Sequence, residues 1–378
     1  MRPMSFHDAV REMARAVESV QVQAEGCAVF EAISPLDAEG KRSAGDAGAT
    51  EAVVAALRAH LGSEAVEPAA CRAMQSLTCE HGGNQQRAVA AGALEALAEV
   101  LRRERCPEAT LAAALCGLRS VVAGSRRHRR LAGELGVVEA VVRILKANAR
   151  NGLVQERAAH ALHTLVRDDA ANQVVAGASG AVKELVGAMR RHAESEELHA
   201  ACAEALQNIV FQQPENQELA RTAHAVDVVL LAMRKHPDSA AVHEHTCGAL
   251  WNLIADHAEN LAAARSGRAE ALVLAGIERF PGHEGVQDNA CGALSRLRLA
   301  GAEASASARA LAWGAEGWPV AISPFHRYKP TRKGFCTWAA PPLLATAGSG
   351  SAAGSVARRP QPGPAVRGTR LLSRLLRR

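Results

Sequence analysis

Aromatic residues are scarce in this chain: 3% of 378, with four Trp, six Phe and one Tyr. Strands favour aromatic and β-branched side chains, whereas the apolar 48% here is largely Ala, Leu and Val, which argues against a sheet and for close-packed helices. No C-x-x-C pair occurs, and the cysteine count of nine is odd. With no secretory signal at the start, that usage excludes a disulfide framework and a zinc site. A reducing compartment is the expectation: the cytoplasm, with the nucleus left open. No apolar run approaches the roughly 18 residues of a membrane-spanning helix. Acidic residues are missing altogether after Glu316, where eleven Lys or Arg stand. The net charge of +5 therefore averages two unlike parts, because residues 1–316 hold 33 basic against 39 acidic residues.

What the chain does have is a period. "CGAL" occurs at 247–250 and again at 291–294, and the residues that close the two segments, Leu253 and Leu297, are 44 apart. Stepping back by 44 gives Ile209, Leu165, Val121, Leu77 and Ile33, an aliphatic anchor in every copy. Three residues before the anchor stand Phe30, Met74, Leu118, Leu162, Leu206, Leu250 and Leu294. Seven before it, every residue is small: Gly26, Ala70, Ala114, Ala158, Cys202, Thr246 and Ala290. A sustained period of this size predicts a solenoid, in which each unit buries its apolar face only against its neighbours.

Each unit parses into three helices. The segment that ends on the anchor, such as 152–166 or 240–254, has apolar or small residues at helical spacing. An Asn follows seven residues later in four units (Asn84, Asn172, Asn216, Asn260) and is expected to be the N-cap of a short helix. A longer helix then begins near a glycine column, Gly48, Gly92, Gly136 and Gly180, which lapses at His224 and Arg268. Its own column is Met13, Leu57, Leu101, Leu145, Met189, Met233 and Ile277. The expected division is a partial unit over 1–20, repeats over 21–300 and a tail over 301–378.

The stretches "GNQQRAVAAGALEALAEVLRR" (83–103) and "VHEHTCGALWNLIADHAEN" (242–260) resemble armadillo repeats, and the resemblance covers roughly residues 4–300. It implies an all-α, right-handed superhelical solenoid whose third helices line a concave groove that binds extended peptides or other proteins. In that setting the Cys column (Cys27, Cys71, Cys247, Cys291) is expected to pack as small hydrophobes.

On each third helix, positions −1, −5 and −8 from the anchor share a stripe turned away from the buried columns. The armadillo resemblance assigns this stripe to the groove. It carries Arg72, Arg157, His160, Glu204, Asn208, His245, Asn252, Asn289 and Arg296, the candidate partner-binding residues. Nuclear-import adapters of this fold carry Trp at −5 and Asn at −1. Here the Asn occurs only at Asn208 and Asn252 and Trp251 sits at −2, which argues against recognition of nuclear-import signals. Asn208, Asn252 and Trp251 admit a structural reading as well, as ties between neighbouring units.

Two basic features stand apart. Arg58, Arg102, Lys146, Arg190 and Arg234 end the second helices, where they either satisfy helix-terminal carbonyls or form a positive edge. The run "SRRHRR" (125–130) is expected in a turn, as a solvated loop or as a site for phosphate or an acidic segment. No residues with catalytic, cofactor or metal-ligating context emerge, and "HEH" (243–245) places its histidines on different helix faces. The tail, with "AGSGSAAGS" and "ARRPQPGPAVRG", reads as disordered. Its basic end "RLLSRLLRR" offers the alternative of nucleic-acid or anionic-membrane association. The function expected is a non-enzymatic scaffold for a protein partner, with neither cofactor nor small-molecule substrate, and with partner identity and oligomeric state left open.

Overall fold

The computed structural model describes residues 5–33, 37–302, 329–330 and 336–337. A first pair of helices, α1 (Phe6–Arg15) and α2 (Val20–Glu31), precedes six triplets. These are α3 (Ala38–Asp46), α4 (Ala49–Ala59) and α5 (Val66–Thr78); then α6 (Gly82–Ala90), α7 (Ala93–Arg102) and α8 (Glu108–Val122). Next come α9 (Arg126–Glu134), α10 (Val137–Ala147) and α11 (Gly152–Val166), followed by α12 (Ala170–Ala178), α13 (Ala181–Arg191) and α14 (Glu196–Ile209). The last two are α15 (Pro214–Thr222), α16 (Ala225–Lys235) and α17 (Ala240–Leu253), and α18 (Ala258–Ser266), α19 (Ala269–Arg279) and α20 (Glu284–Ala302). The only described strands are two-residue pieces, Lys329–Pro330 paired with Cys336–Thr337. They fall in the segment expected to be unstructured, which otherwise lies outside the described residues. The chain divides into two compact units, Met1–Trp338 and Ala339–Arg378, and the second is wholly outside the description.

The third helices α2, α5, α8, α11, α14, α17 and α20 stack in order, each against the next. Their anchors are 0% exposed from Leu77 to Leu253, and 6% and 4% exposed at Ile33 and Leu297. Full burial of one such side chain contributes about 1.5–3 kcal/mol, and seven in register make one continuous core. The cysteines follow the same logic. Burial, reinforced by Glu31, pushes the Cys27 thiol up to about 12, and burial likewise raises Cys247 to about 12. Both stay protonated and pack as small apolar groups.

The four asparagines are not N-caps. Their helices are capped three residues earlier by His81, Asp169 and His257, which accept from the amides of Asn84, Asn172 and Asn260, and by Gln213 without a side-chain cap bond. Each Asn is instead a buried clamp. The Asn172 side-chain amide donates to the Leu165 carbonyl at 2.8 Å and to the Arg129 carbonyl of the preceding short helix at 2.9 Å. Asn84 does the same to Leu77 and Lys41, Asn216 to Ile209 and Gln173, and Asn260 to Leu253 and Gln217. The clamp satisfies a carbonyl left over at the end of the third helix before it and ties that end to the backbone of the preceding short helix, where water cannot reach. Close approach is part of it. A Cβ on Gly133 would lie 1.8 Å from Asn172 Oδ1, and one on Gly177 would lie 1.7 Å from Asn216 Oδ1.

The glycine column ends in residue type but not in backbone. Gly48, Gly92, Gly136 and Gly180 have φ between 71° and 92°, and His224 and Arg268 hold the same left-handed turn at 56° and 58°. The second helix must leave the short helix at one angle in every triplet, so the turn is kept where the side chain disfavours it.

The "SRRHRR" run is also a helix rather than a loop. Ser125 caps α9 and accepts from the His128 amide, and His128 and Arg129 are 7% and 5% exposed.

Two outcomes follow for urea unfolding. Gly177→Ala and Asn216→Ala each cost about 1–3 kcal/mol through lost or unpaired buried groups, and the double variant costs clearly less than their sum because the two touch. Additive costs would contradict the clamp. His224→Gly gains roughly 0.5–1 kcal/mol by relieving the left-handed turn, whereas the same change at the equivalent exposure on a helix would lose stability.

Candidate functional site

The structure puts each expected face residue on a third helix, but most are already tied to the preceding one. Arg72 Nε pairs with Glu31 at 2.7 Å, and Ser76 Oγ donates to the Glu31 carbonyl at 3.1 Å. Asn252 donates its amide to the Gln207 carbonyl at 2.8 Å, and Asn289 to the Glu244 carbonyl at 2.9 Å. Arg296 pairs with Asp256 at 3.1 Å and Arg157 with its neighbour Glu156 at 3.3 Å. These bonds span 40 to 45 residues where they cross helices, so they are rungs between units. Trp251 joins them. A Cβ on Gly292 would lie 2.5 Å from its indole, which therefore lies on the next third helix where that helix has no side chain.

The residues that do come together are His160, Glu204, Asn208 and His245, and with them His163, which the stripe at −1, −5 and −8 leaves out. They come from α11, α14 and α17. The Glu204 carboxylate is 3.5 Å from His160 Nδ1 and 3.3 Å from His163 Nε2. Asn208 donates to His163 Nδ1 at 2.7 Å and to its own helix at the Glu204 carbonyl. A ring that accepts at Nδ1 carries its proton on Nε2, so a neutral His163 fits both neighbours. Burial lowers the His163 pKa to about 4, against the pull of Glu204. The Glu204 carboxyl is held below its usual range: burial opposes this, but His163, His160 and His245 outweigh it. At neutral pH the carboxylate is thus charged and His163 beside it is not. Its side chain is 24% exposed, so it is reachable from solvent yet partly desolvated.

The basic column resolves differently. Arg58, Arg102, Arg190 and Arg234 each donate, 33 residues ahead, to the C-cap carbonyl of the next short helix: Ala91, Leu135, Ala223 and Gly267. They close helix ends of the neighbouring unit. Lys146 keeps the column's charge, and for it no such bond is seen. Sequence reasoning also missed the polar position ten residues before the anchor. There Gln23, Gln155, His199 and Gln287 bond to carbonyls at the end of the second helix. The signal was the recurrence of Gln and His at one column. Among the described residues no group of three or more His, Cys, Asp or Glu could hold a metal ion, and no helix is long and apolar enough to cross a membrane.

Among solved structures, the chain is similar to an engineered protein at 21% identity and a TM-score of 0.68, over 80% of this chain and 71% of that one. It is also similar to a computationally designed armadillo repeat protein for modular peptide recognition, at 20% identity and a TM-score of 0.56, over 66% and 99%. A designed armadillo repeat protein in complex with the peptide (KR)4 matches with the same figures. No family model matches the chain, and no curated protein matches its sequence. The likeness shows the fold, an all-α armadillo solenoid, as the resemblance of the repeats had implied.

His163 makes the face acid-sensitive. A folded-state pKa below the ordinary 6.5 means that the unfolded chain binds more protons between about pH 4 and 6.5, so stability falls as pH drops through that window. The unfolding free energy from pH 7 to pH 4.5, read from urea titrations, should fall more steeply in the native chain than in His163→Gln, by at most about 3 kcal/mol. Parallel slopes would remove His163 from this account.

Proposed function

We propose that the chain is a non-enzymatic scaffold that holds an extended segment of a protein partner across the third helices α11, α14 and α17, with a cationic side chain of that segment against Glu204. One observation carries the reading. The face's other ions are matched, Arg72 with Glu31, Arg157 with Glu156 and Arg296 with Asp256, whereas Glu204 is a partly desolvated carboxylate beside imidazoles, of which His163 is neutral. A cation that docks there gains a charge-assisted hydrogen bond in reduced dielectric and displaces no Lys or Arg partner.

The likeness to designed armadillo proteins made for peptide recognition, one of them bound to (KR)4, supports a peptide-holding role. A reducing compartment, the cytoplasm before the nucleus, goes with this reading on cysteine usage alone. The competing reading, association with nucleic acid or anionic membrane through the tail, rests on residues outside the described structure, and no observation of the solenoid favours it.

A displayed library of random peptides tests the proposal. Selected binders are expected to carry Lys or Arg and to lose roughly tenfold in affinity on Glu204→Gln, the scale of one charge-assisted bond. Binders that ignore that substitution and Trp251→Ala alike would place the partner elsewhere.

A further inference from the structure

The third triplet departs from the four triplets that carry a clamp asparagine. The clamp position holds His128, whose single contact is a 3.3 Å approach to the Val121 carbonyl, where Asn84, Asn172, Asn216 and Asn260 each make two bonds. The position that would be glycine beside the clamp is Val89. At the next position stands Arg129, where Gln173 and Gln217 stand in later triplets.

The first turn of α9 is the larger departure. Glu39, Glu215 and Glu259 occupy the first turns of α3, α15 and α18, where a negative charge favours the helix dipole. In α9 those positions are Arg126 and Arg127, followed by Arg130, all three exposed. Cations there oppose the dipole at a cost of roughly 0.3–1 kcal/mol each. No carboxylate among the described residues pairs with any of the three.

Beneath them the crowding continues. Arg129 is 5% exposed; its Nη1 donates to the Ala123 carbonyl at 3.2 Å, and Arg167 donates to the same carbonyl at 2.9 Å. Asp168 stands 3.9 Å from Arg129, and the buried Arg129 Nε has no hydrogen-bond partner. Burial, then the neighbouring Arg167 and, more weakly, Arg126, pull the Arg129 guanidinium below its usual range, against Asp168 and Asp169. Five guanidiniums thus gather where local stability argues against them, and such local conflicts are expected at functional sites.

We propose that the exposed face of α9, formed by Arg126, Arg127 and Arg130 over Arg129, is a docking surface for an Asp/Glu-rich segment of a protein partner. It is separate from the third-helix face and does not depend on it. Charge complementarity selects the occupant. The three exposed guanidiniums lie within about 6 Å along the helix axis, a span that two or three carboxylates match. Acidic residues stand on either side, Glu80 in the turn before α6 and Asp168 and Asp169 in the turn before α12. A nucleic-acid backbone continued past the patch would meet the exposed Glu80 and Asp168, whereas a short acidic segment would end inside it.

Fluorescence anisotropy with a labelled poly-glutamate peptide at low ionic strength, on the full chain, reads the surface directly. Replacing Arg126, Arg127 and Arg130 together by Gln should weaken binding roughly tenfold, the sum of three exposed pairs. The same three changed to Lys should retain most of it. A control with Arg15→Gln, Arg143→Gln and Lys183→Gln, exposed cations elsewhere, should change it at most about twofold. The peptide should also slow hydrogen exchange at the amides of α9. Equal losses in the two Gln triples, unprotected α9 amides, or stronger displacement by a single-stranded oligonucleotide of equal charge would each overturn the assignment. None of these outcomes bears on Glu204.

Discussion

Every helix ends with carbonyls that its own turns cannot satisfy, and in a stack of short helices those ends are too numerous to leave unpaired. This chain settles them by reaching across units. Arginines at the end of the second helices close the short helix ahead, 33 residues away; asparagines close the third helix just before them, seven residues away, and brace the short helix behind, 43 residues away; face residues Ser76 and Asn252 reach carbonyls in the last turn of the third helix behind, 45 residues away. Each reach works at one separation only. An insertion inside a unit would move the donor off its carbonyl and leave both groups buried and unpaired, at about 1–3 kcal/mol apiece. The constant 44-residue step is therefore a polar requirement as much as an apolar one.

This sharpens what a free polar group means here. A residue on the third-helix face is not available to a partner merely because it points away from the core. Asn252 and Asn289 spend their amides on the neighbouring backbone, and Arg72 and Arg296 spend their charge on Glu31 and Asp256. Removing any of these changes the stack as well as the face, so loss of binding on such a substitution would be ambiguous. Glu204 and the exposed α9 arginines differ in kind: the first has a charge beside the neutral His163 ring, and the second have no carboxylate paired with them among the described residues.

The apolar architecture was legible because it repeats in residue type. Leu, Ile and Val at the anchor need nothing but burial, and any aliphatic side chain serves, so the column survives seven times over. Polar geometry was legible only in part. The clamp asparagines stood out as a column but were given the wrong task, since an Asn before a periodic run also describes an N-cap. Of the true caps only Asp169 is a favoured N-cap type; His81 and His257 accept through a ring nitrogen and Gln213 makes no side-chain cap, so residue type gave a warning in one unit of four. The stripe at −1, −5 and −8 found His160 and Glu204 but not His163, because the imidazole reaches the carboxylate from −2 by its own length. A helical wheel assigns directions to Cβ atoms, not to the ends of side chains.

The left-handed turn before each second helix shows which level of the fold governs the other. Gly48 through Gly180 make the turn at little conformational cost, and His224 and Arg268 make it against their preference. If local preference set the path, the last two units would turn differently and their second helices would leave the stack. They do not, because Val226, Val229 and Met233 on α16, and Val273 and Ile277 on α19, are buried in the same columns as their counterparts. Burying several such side chains outweighs the roughly 1 kcal/mol of strain at one residue. The neighbours of a unit thus dictate its backbone, and departures in residue type are tolerated wherever the columns still meet. The third triplet departs in another way, with charge where no column asks for it, and packing supplies no reason for that.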